Sequence, residues 1–365
     1  MPGSGWGSEP ESGSVRRSRE SAVRVPDVTV IVAVYNGLPY FTRCLESVSG
    51  QSIGPDRLEL VVVDDGSTDG SGEYAEKFAV DAELPTRVVR QPNSGGPSGP
   101  RNVGLSLATG RYVFILDADD HLGPEALERM VAMADRNDTD MVLGRITGVN
   151  RRAPRSMFRA NAERTSVFEN HVLNTMSAEK LFRRELLERH GIRFMEDLHH
   201  GEDTCFTLEA SLRADGISIV ADYPCLYIVG RTDGGNLTSA GSRAEGFLAA
   251  RTQLELITRL VPPGPNRDTA MVRPFRLKVL RPFGPRLLRE PGPVWRENFG
   301  LAAPLVEEFL TPGVRRKLKP DERIRLHCVA EHRADVLRDL LTLLSEQPTR
   351  RETRLSERDT PLDDG

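Results

Sequence analysis

Tyr112-Val113-Phe114-Ile115-Leu116-Asp117-Ala118-Asp119-Asp120 runs from an unbroken apolar stretch straight into a pair of carboxylates spaced i and i+2. A short apolar run bounded by polar turns reads as a strand buried on both faces, as in parallel sheets. Carboxylates at its exit can hold a divalent cation and a diphosphate. A second run, Leu58 to Val63, ends in the same manner in Asp64-Asp65-Gly66-Ser67-Thr68-Asp69. Two strands that deliver aspartates at their carboxyl ends fit the rule that open α/β sheets bind ligands there.

Working outward, the pattern from Val28 to Asp119 is strand, helix, strand, helix, strand. Val28 to Val34 is apolar and β-branched, and Phe41, Cys44, Leu45 and Val48 fall at helical spacing within Tyr40 to Ser49. Leu58 to Val63 reads as strand, Gly72 to Phe78 as helix, Arg87 to Arg90 as strand and Arg101 to Thr109 as helix. This alternation implies a parallel sheet with right-handed crossovers. Further on, Pro124 to Arg136, Ala178 to His190 and Glu202 to Ala214 read as helices, and Asp140 to Val149 as a strand. Ile217 to Tyr227 reads as two short strands, Met195 to Gly201 as a loop, and Arg151 to Asn170 carries no clear period.

After about Ser242 the character changes. Apolar residues recur at helical spacing in Phe247 to Leu260, Leu301 to Leu310 and Arg323 to Leu344, with prolines punctuating the links. The expected organisation is a disordered tail over 1–26, an α/β domain over 27–242, a helical C-terminal domain over 243–347 and a second disordered tail over 348–365.

The chain has 365 residues, 28% of them charged, yet a formal net charge of only -4, so no global field announces nucleic acid as a partner. Cys44, Cys205, Cys225 and Cys328 are far apart and form no C-x-x-C pair, which argues against a zinc site or a disulfide framework and for a reducing compartment. No stretch is apolar for the ~18 residues a membrane span needs. Arg16-Arg17-Ser18-Arg19 allows at most peripheral contact with an anionic membrane surface.

Five segments occur in fixed order: VIVAVYNG (30–37), VVVDDGSTDGS (61–71), GGPSGPRNVGL (95–105), FILDADD (114–120) and GEDTCF (201–206). Together they resemble the inverting glycosyltransferases of family 2. HHGED (199–203) and GRTDGGNLTS (230–239) are most similar to the bacterial members that decorate polyol-phosphate polymers such as teichoic acid. The resemblance implies a GT-A fold: Rossmann-like, with a mostly parallel twisted sheet and helices on both faces. It also implies a UDP-sugar donor, Mn2+ or Mg2+, a hydroxyl acceptor compatible with an anionic envelope polymer, and work in the cytoplasm at the inner face of the membrane. The oligomeric state is left open.

By the same resemblance Asp119 binds the metal, and Asp117 the ribose or the metal shell. One of Asp64 and Asp65 accepts from the uracil imide, and which one is open. Ala33, Tyr35 and Asn36 complete the base pocket, with Ala118 beside them. Arg101 and Asn102 line the donor site, Asp203 is the general base, and Glu202 supports it. The polar loop with Arg231, Thr232, Asn236, Thr238 and Ser239 folds over the diphosphate, and His199 and His200 line the acceptor side.

Each assignment has a plainer competitor. Asp117 and Asp120 could cap a turn, Glu202-Asp203 could suit a helix dipole, and Ser67 and Asp69 read better as loop and capping residues. A nucleotidyltransferase would need a glycine loop with a lysine after the first strand, where this chain has Tyr35-Asn36-Gly37-Leu38-Pro39. A non-catalytic glycan-binding protein of the same fold would not need intact Asp117, Asp119 and Asp203.

Overall fold

The structure is a computed structural model and describes residues 25–232 and 242–346. The expected tails therefore fall outside the described residues except at 25 and 26, as do Arg16 to Arg19, Asn236, Thr238 and Ser239.

The first half follows the apolar pattern closely. Strands β1 (Val28–Val34), β2 (Leu58–Asp64), β3 (Thr86–Arg90) and β4 (Tyr112–Asp117) pair in parallel, and α1 (Tyr40–Ser49), α2 (Ser71–Asp81) and α3 (Ser98–Leu107) connect them. α1 buries Phe41, Cys44, Leu45 and Val48, the four residues at helical spacing. α3 crosses β1 at Gly104, where a Cβ would overlap the Ile31 side chain. Glycine at that position allows the close approach of helix and sheet.

The second half departs from a simple alternation. After β5 (His121–Leu122) come α4 (Ala126–Asn137), β6 (Met141–Val149), β7 (Ala162–Thr165), β8 (Leu181–Arg183), α5 (Arg184–Arg189), α6 (Glu202–Arg213) and β9 (Ile217–Val229). The sheet order is β3-β2-β1-β4-β8-β6-β9-β5, with β7 on β9. The parallel part spans β1 to β4 and the β6/β9 pair, while β8 runs antiparallel to both β4 and β6.

Two expectations need correction, and one open stretch is settled. Ala178 to His190 is not one helix: Leu181 and Phe182 enter the sheet as β8, and only Arg184–Arg189 is helical. Both residues are fully buried, Phe182 edge-on to Phe206 at 5.3 Å, so packing between β4 and β6 overrides helical propensity. Ile217 to Tyr227 is part of a single 13-residue strand, whose pairing with β6 shifts register around Arg145. Arg151 to Asn170 contributes the edge strand β7.

The C-terminal region is helical: α7 (Arg243–Leu260), α8 (Pro265–Pro274), α9 (Gly292–Phe309), α10 (Pro312–Lys317), α11 (Pro320–Ala330) and α12 (Ala334–Glu346). Arg323 to Leu344 is two helices rather than one. His332 adopts φ 50°, and Arg333 N–H bonds Cys328 O at 2.8 Å, the six-to-one closure of a helix C-terminus. No glycine marks that turn, so the sequence conceals it.

The helical region is not an appendage. One apolar cluster runs from Ile31, Val61, Val113 and Ile115 on one face of the sheet through Phe206 to Leu254, Phe275, Phe283 and Leu326. The opposite face packs Val30, Val32, Leu60 and Phe114 against α1 and α4. All four cysteines are free and buried. Among the described residues no helix is long and apolar enough to cross a membrane.

Candidate active site

Strand register builds the floor of the cleft. Val34 pairs with Asp64 and the half-buried Ala33 with Asp117, so β1, β2 and β4 end nearly level with an aspartate on either side of β1. The loops after β1 and β2 are stitched together. Asn36 N–H donates to Ser67 Oγ (3.0 Å), Thr68 N–H to Asn36 Oδ1 (2.8 Å) and Leu38 N–H to Asp69 Oδ2 (3.0 Å). Ser67 and Asp69 thus do the loop-fixing work their residue types suggest. Tyr35 stands exposed at the rim, and Ala118 Cβ faces Gly37.

Asp64 and Asp65 are both buried but are held differently. Asp64 Oδ1 accepts from Ser67 N–H at 3.0 Å, and its Oδ2 lies 3.3 Å from Arg90 Nε against the bare face of Gly72. Asp65 moors the glycine-rich loop, accepting from Gln91 Nε2 (2.6 Å), Ser94 N–H (3.1 Å) and Ser94 Oγ (2.9 Å).

Arg101, in the first turn of α3, is the hub. Its Nη2 donates to Asp117 Oδ1 at 2.7 Å and its Nη1 to Glu202 Oε1 at 3.2 Å, with Phe194 beneath the guanidinium at 5.1 Å. Burial alone would lower its pKa, but Asp117 and Glu202 outweigh burial and raise it, so the guanidinium stays charged. Asn102 does something else. Its amide exchanges hydrogen bonds with the Phe194 backbone (2.9 Å each way) and donates to Glu196 Oε1 (3.0 Å), fixing the loop ahead of α6.

Around the D-x-D, acids crowd. Burial and then the charge of Asp117 push the Asp119 carboxyl up to about 6, against the pull of Arg231 and Arg151. Burial and neighbouring acids also raise Asp120 and Glu179. Oxygens of Asp117, Asp120 and Glu179 lie within 4.8 Å of one another, a group that shares Asp117 with the expected Asp117–Asp119 pair but does not include Asp119. Asp120 Oδ1 also accepts Val229 N–H at 2.7 Å, tying the motif to the end of β9. A hard, all-oxygen set at carboxylates that repel each other suits Mg2+ or Mn2+. Glu179 was missed because Glu179-Lys180 interrupts a stretch that reads as helix, although a charged pair inside an apolar segment was a usable signal. Arg231 lies over the Tyr40 ring at 5.2 Å, and Thr232 N–H donates to Tyr40 OH at 3.1 Å.

The residues expected on the acceptor side sit at the start of α6. Gly201 takes φ 94° and lets the chain turn sharply into Glu202 and Asp203. Glu202 is buried on Arg101, while Asp203 is less buried and its charge is felt by three cations outside the five ordered motifs: Lys180, Arg273 and Lys278. Two of the three come from the helical region. His200 Nδ1 lies 3.6 Å from Glu245 Oε2 at the head of α7, and His199 lies beside Gly96.

Residues 29–191 match the description "Glycosyl transferase family 2", and 244–341 match "Glycosyl transferase TarS linker domain". The poly(ribitol-phosphate) beta-N-acetylglucosaminyltransferase TarS of Staphylococcus aureus is 32% identical over 298 residues, 80% of this chain and 52% of the relative. A poly(ribitol-phosphate) beta-glucosyltransferase of Bacillus spizizenii is 34% identical over 224 residues, 61% of this chain and 35% of the relative. The chain thus spans about a third to a half of the length of these curated relatives. The crystal structure of S. aureus TarS 1-349 in complex with UDP-GlcNAc superposes with a TM-score of 0.81 at 28% identity, covering 88% of this chain and 92% of that one. With its ordered motifs, its GT-A sheet and these matches, the chain contains a glycosyltransferase family 2 domain over residues 29–191.

Proposed function

We propose that this chain transfers a hexose or N-acetylhexosamine from a UDP-sugar to a hydroxyl of a polyol-phosphate polymer, with inversion. The observation that carries the reading is the Arg101 bridge from Asp117, at the end of β4, to Glu202, beside Asp203. It ties the acid expected on the donor side to the helix turn that carries the acid expected to act as base. The activities of the relatives and the UDP-GlcNAc bound to TarS support a UDP-sugar donor and a poly(ribitol phosphate) acceptor. Glucose and N-acetylglucosamine are the two sugars those relatives name.

In this reading the loops after β1 and β2 seat the uridine, with Ala33, Tyr35 and Asn36 at its edge and Asp64 or Asp65 accepting from the imide. Asp117 and Asp119 would hold Mn2+ or Mg2+, which when bound offsets negative charge on the diphosphate. Arg101 fixes the orientation of Asp117, and Arg231 adds positive charge near the leaving group. Asp203 accepts the acceptor hydroxyl proton at a carboxylate oxygen, a contribution of ~10²–10⁴-fold. Glu202, pinned by Arg101, keeps the first turn of α6 in place. The free buried thiols suit a reducing cytoplasm, with the polymer presented at the inner face of the membrane.

The test is to incubate the purified protein with UDP-GlcNAc or UDP-glucose, a poly(ribitol phosphate) acceptor and Mn2+, then read UDP release and the anomeric configuration of the product by NMR. An α-configured product from an α-linked donor would refute inversion. No transfer from either donor would refute the substrate class.

A further inference from the structure

Between residues 167–174 and helices α8 and α10 lies a groove of about 340 Å³, whose wall includes His171, Asn174, Thr269, Arg273, Arg276 and Lys317. Its charge is one-sided. Arg276 is occupied by a two-point ion pair with Glu322, at 2.7 and 2.8 Å. Among the described residues, Arg273 and Lys317 have no carboxylate at ion-pairing distance.

The backbone explains how this groove meets the reaction centre. Pro274 has no N–H to donate, and the helix widens after it into a π turn, Phe275–Val279, with Leu280 N–H reaching Phe275 O at 2.8 Å. Such turns recur at functional sites. Arg273 stands just ahead of the turn and Lys278 within it, and both feel the charge of Asp203. Lys278 Nζ lies 3.4 Å from where a Cβ on Gly201 would stand, at the entrance to α6. Arg273 is therefore shared: it faces the groove and also contributes, with Lys278, to a cationic wall beside Asp203.

We propose that this groove binds a phosphodiester of the acceptor chain between Arg273 and Lys317, so that a neighbouring hydroxyl is delivered along the Arg273–Lys278 wall to Asp203. Charge-assisted hydrogen bonds from a half-buried guanidinium suit a phosphate oxygen, and a neutral polyol leaves that guanidinium without a partner. The proposal deepens the reading above and rests on it for the identity of the reaction, but anion binding in the groove is measurable without any transfer.

The test is calorimetric titration of the full chain with a short synthetic ribitol-phosphate oligomer, with neutral ribitol as the comparison and UDP with Mn2+ as a check on the donor site. The wild type binds the oligomer in a salt-sensitive manner and prefers it to ribitol. Arg273→Gln and Lys317→Ala together weaken oligomer binding at least about tenfold while UDP affinity is unchanged. Lys317→Glu, on an exposed residue at the end of α10, does the same and covers the case in which the double variant misfolds. Unchanged oligomer affinity in the folded variants, no oligomer binding by the wild type, or equal binding of ribitol each overturns the proposal. Oligomer binding that the variants lose, in a protein that transfers no sugar from any UDP-sugar, would leave the groove standing and sink the reaction.

Discussion

Arg101 Nη1 lies 3.2 Å from Glu202 Oε1, joining the first turn of α3 to the first turn of α6 across 101 positions of sequence. Both side chains are nearly dry, so the pair is worth more intact than either member alone. Arg101→Met removes the cation from Glu202 and Asp117 at once. The expected result is a loss of about 3–5 kcal/mol, reduced toward the lower end because Asp117 is partly exposed. Urea unfolding measures it. A lysine at the same position restores charge without the two-point fork, so Arg101→Lys recovers stability more than kcat/KM.

Asp203→Asn keeps the shape of α6 and removes the proton acceptor. Transfer should fall by about 10²–10⁴-fold while UDP affinity by calorimetry stays near wild type. Near-normal turnover would show that another group accepts the proton.

Asp119 carries a pKa raised to about 6 by burial and by Asp117. Its ionised form is the one a cation needs, so Mn2+-dependent UDP affinity should be level above pH 7. It should then fall by about tenfold per pH unit once below pH 6. Asp119→Ala should abolish both the Mn2+ dependence and this limb of the profile. A profile that is flat from pH 5 to pH 8 would remove Asp119 from the cation site.

Gly104 touches Ile31, so Gly104→Val forces side-chain volume into the α3/β1 contact. Overpacking of this kind costs about 1–3 kcal/mol, and the same displacement moves Arg101 one turn away. Thermal unfolding should drop and transfer should fall with it. Gly246, whose Cβ direction is open, should accept alanine with little change.

Asp27 is drawn in two directions: burial raises its pKa, and hydrogen bonds from Arg111 and Arg57 outweigh burial and lower it. A carboxyl with a depressed folded pKa stabilises the protein above its ordinary value of 3.8 and loses that contribution as pH falls through the folded pKa. The arginines are a third or more exposed, so the net term is about 1–2 kcal/mol. Asp27→Asn should lower stability by that amount at pH 7 in urea melts, and the difference from wild type should vanish once the pH has fallen below the depressed folded pKa.

The sequence by itself determined the parallel half of the sheet and the acids at its edge. A strand buried on both faces must be continuously apolar, and the turn residues that follow it are written in the next few positions. Val28–Val34, Leu58–Asp64 and Tyr112–Asp117 lie where the pattern sets them, and motif order was enough to indicate the family. Only the tertiary structure decided that Leu181 and Phe182 form a strand and that Asn102 clamps Phe194. It likewise decided that Glu179 joins Asp117 and Asp120, and that Arg273 and Lys278 approach Asp203 from the helical region. Those relationships join residues tens of positions apart through packing and charge. Local periodicity carries no record of a partner on another element.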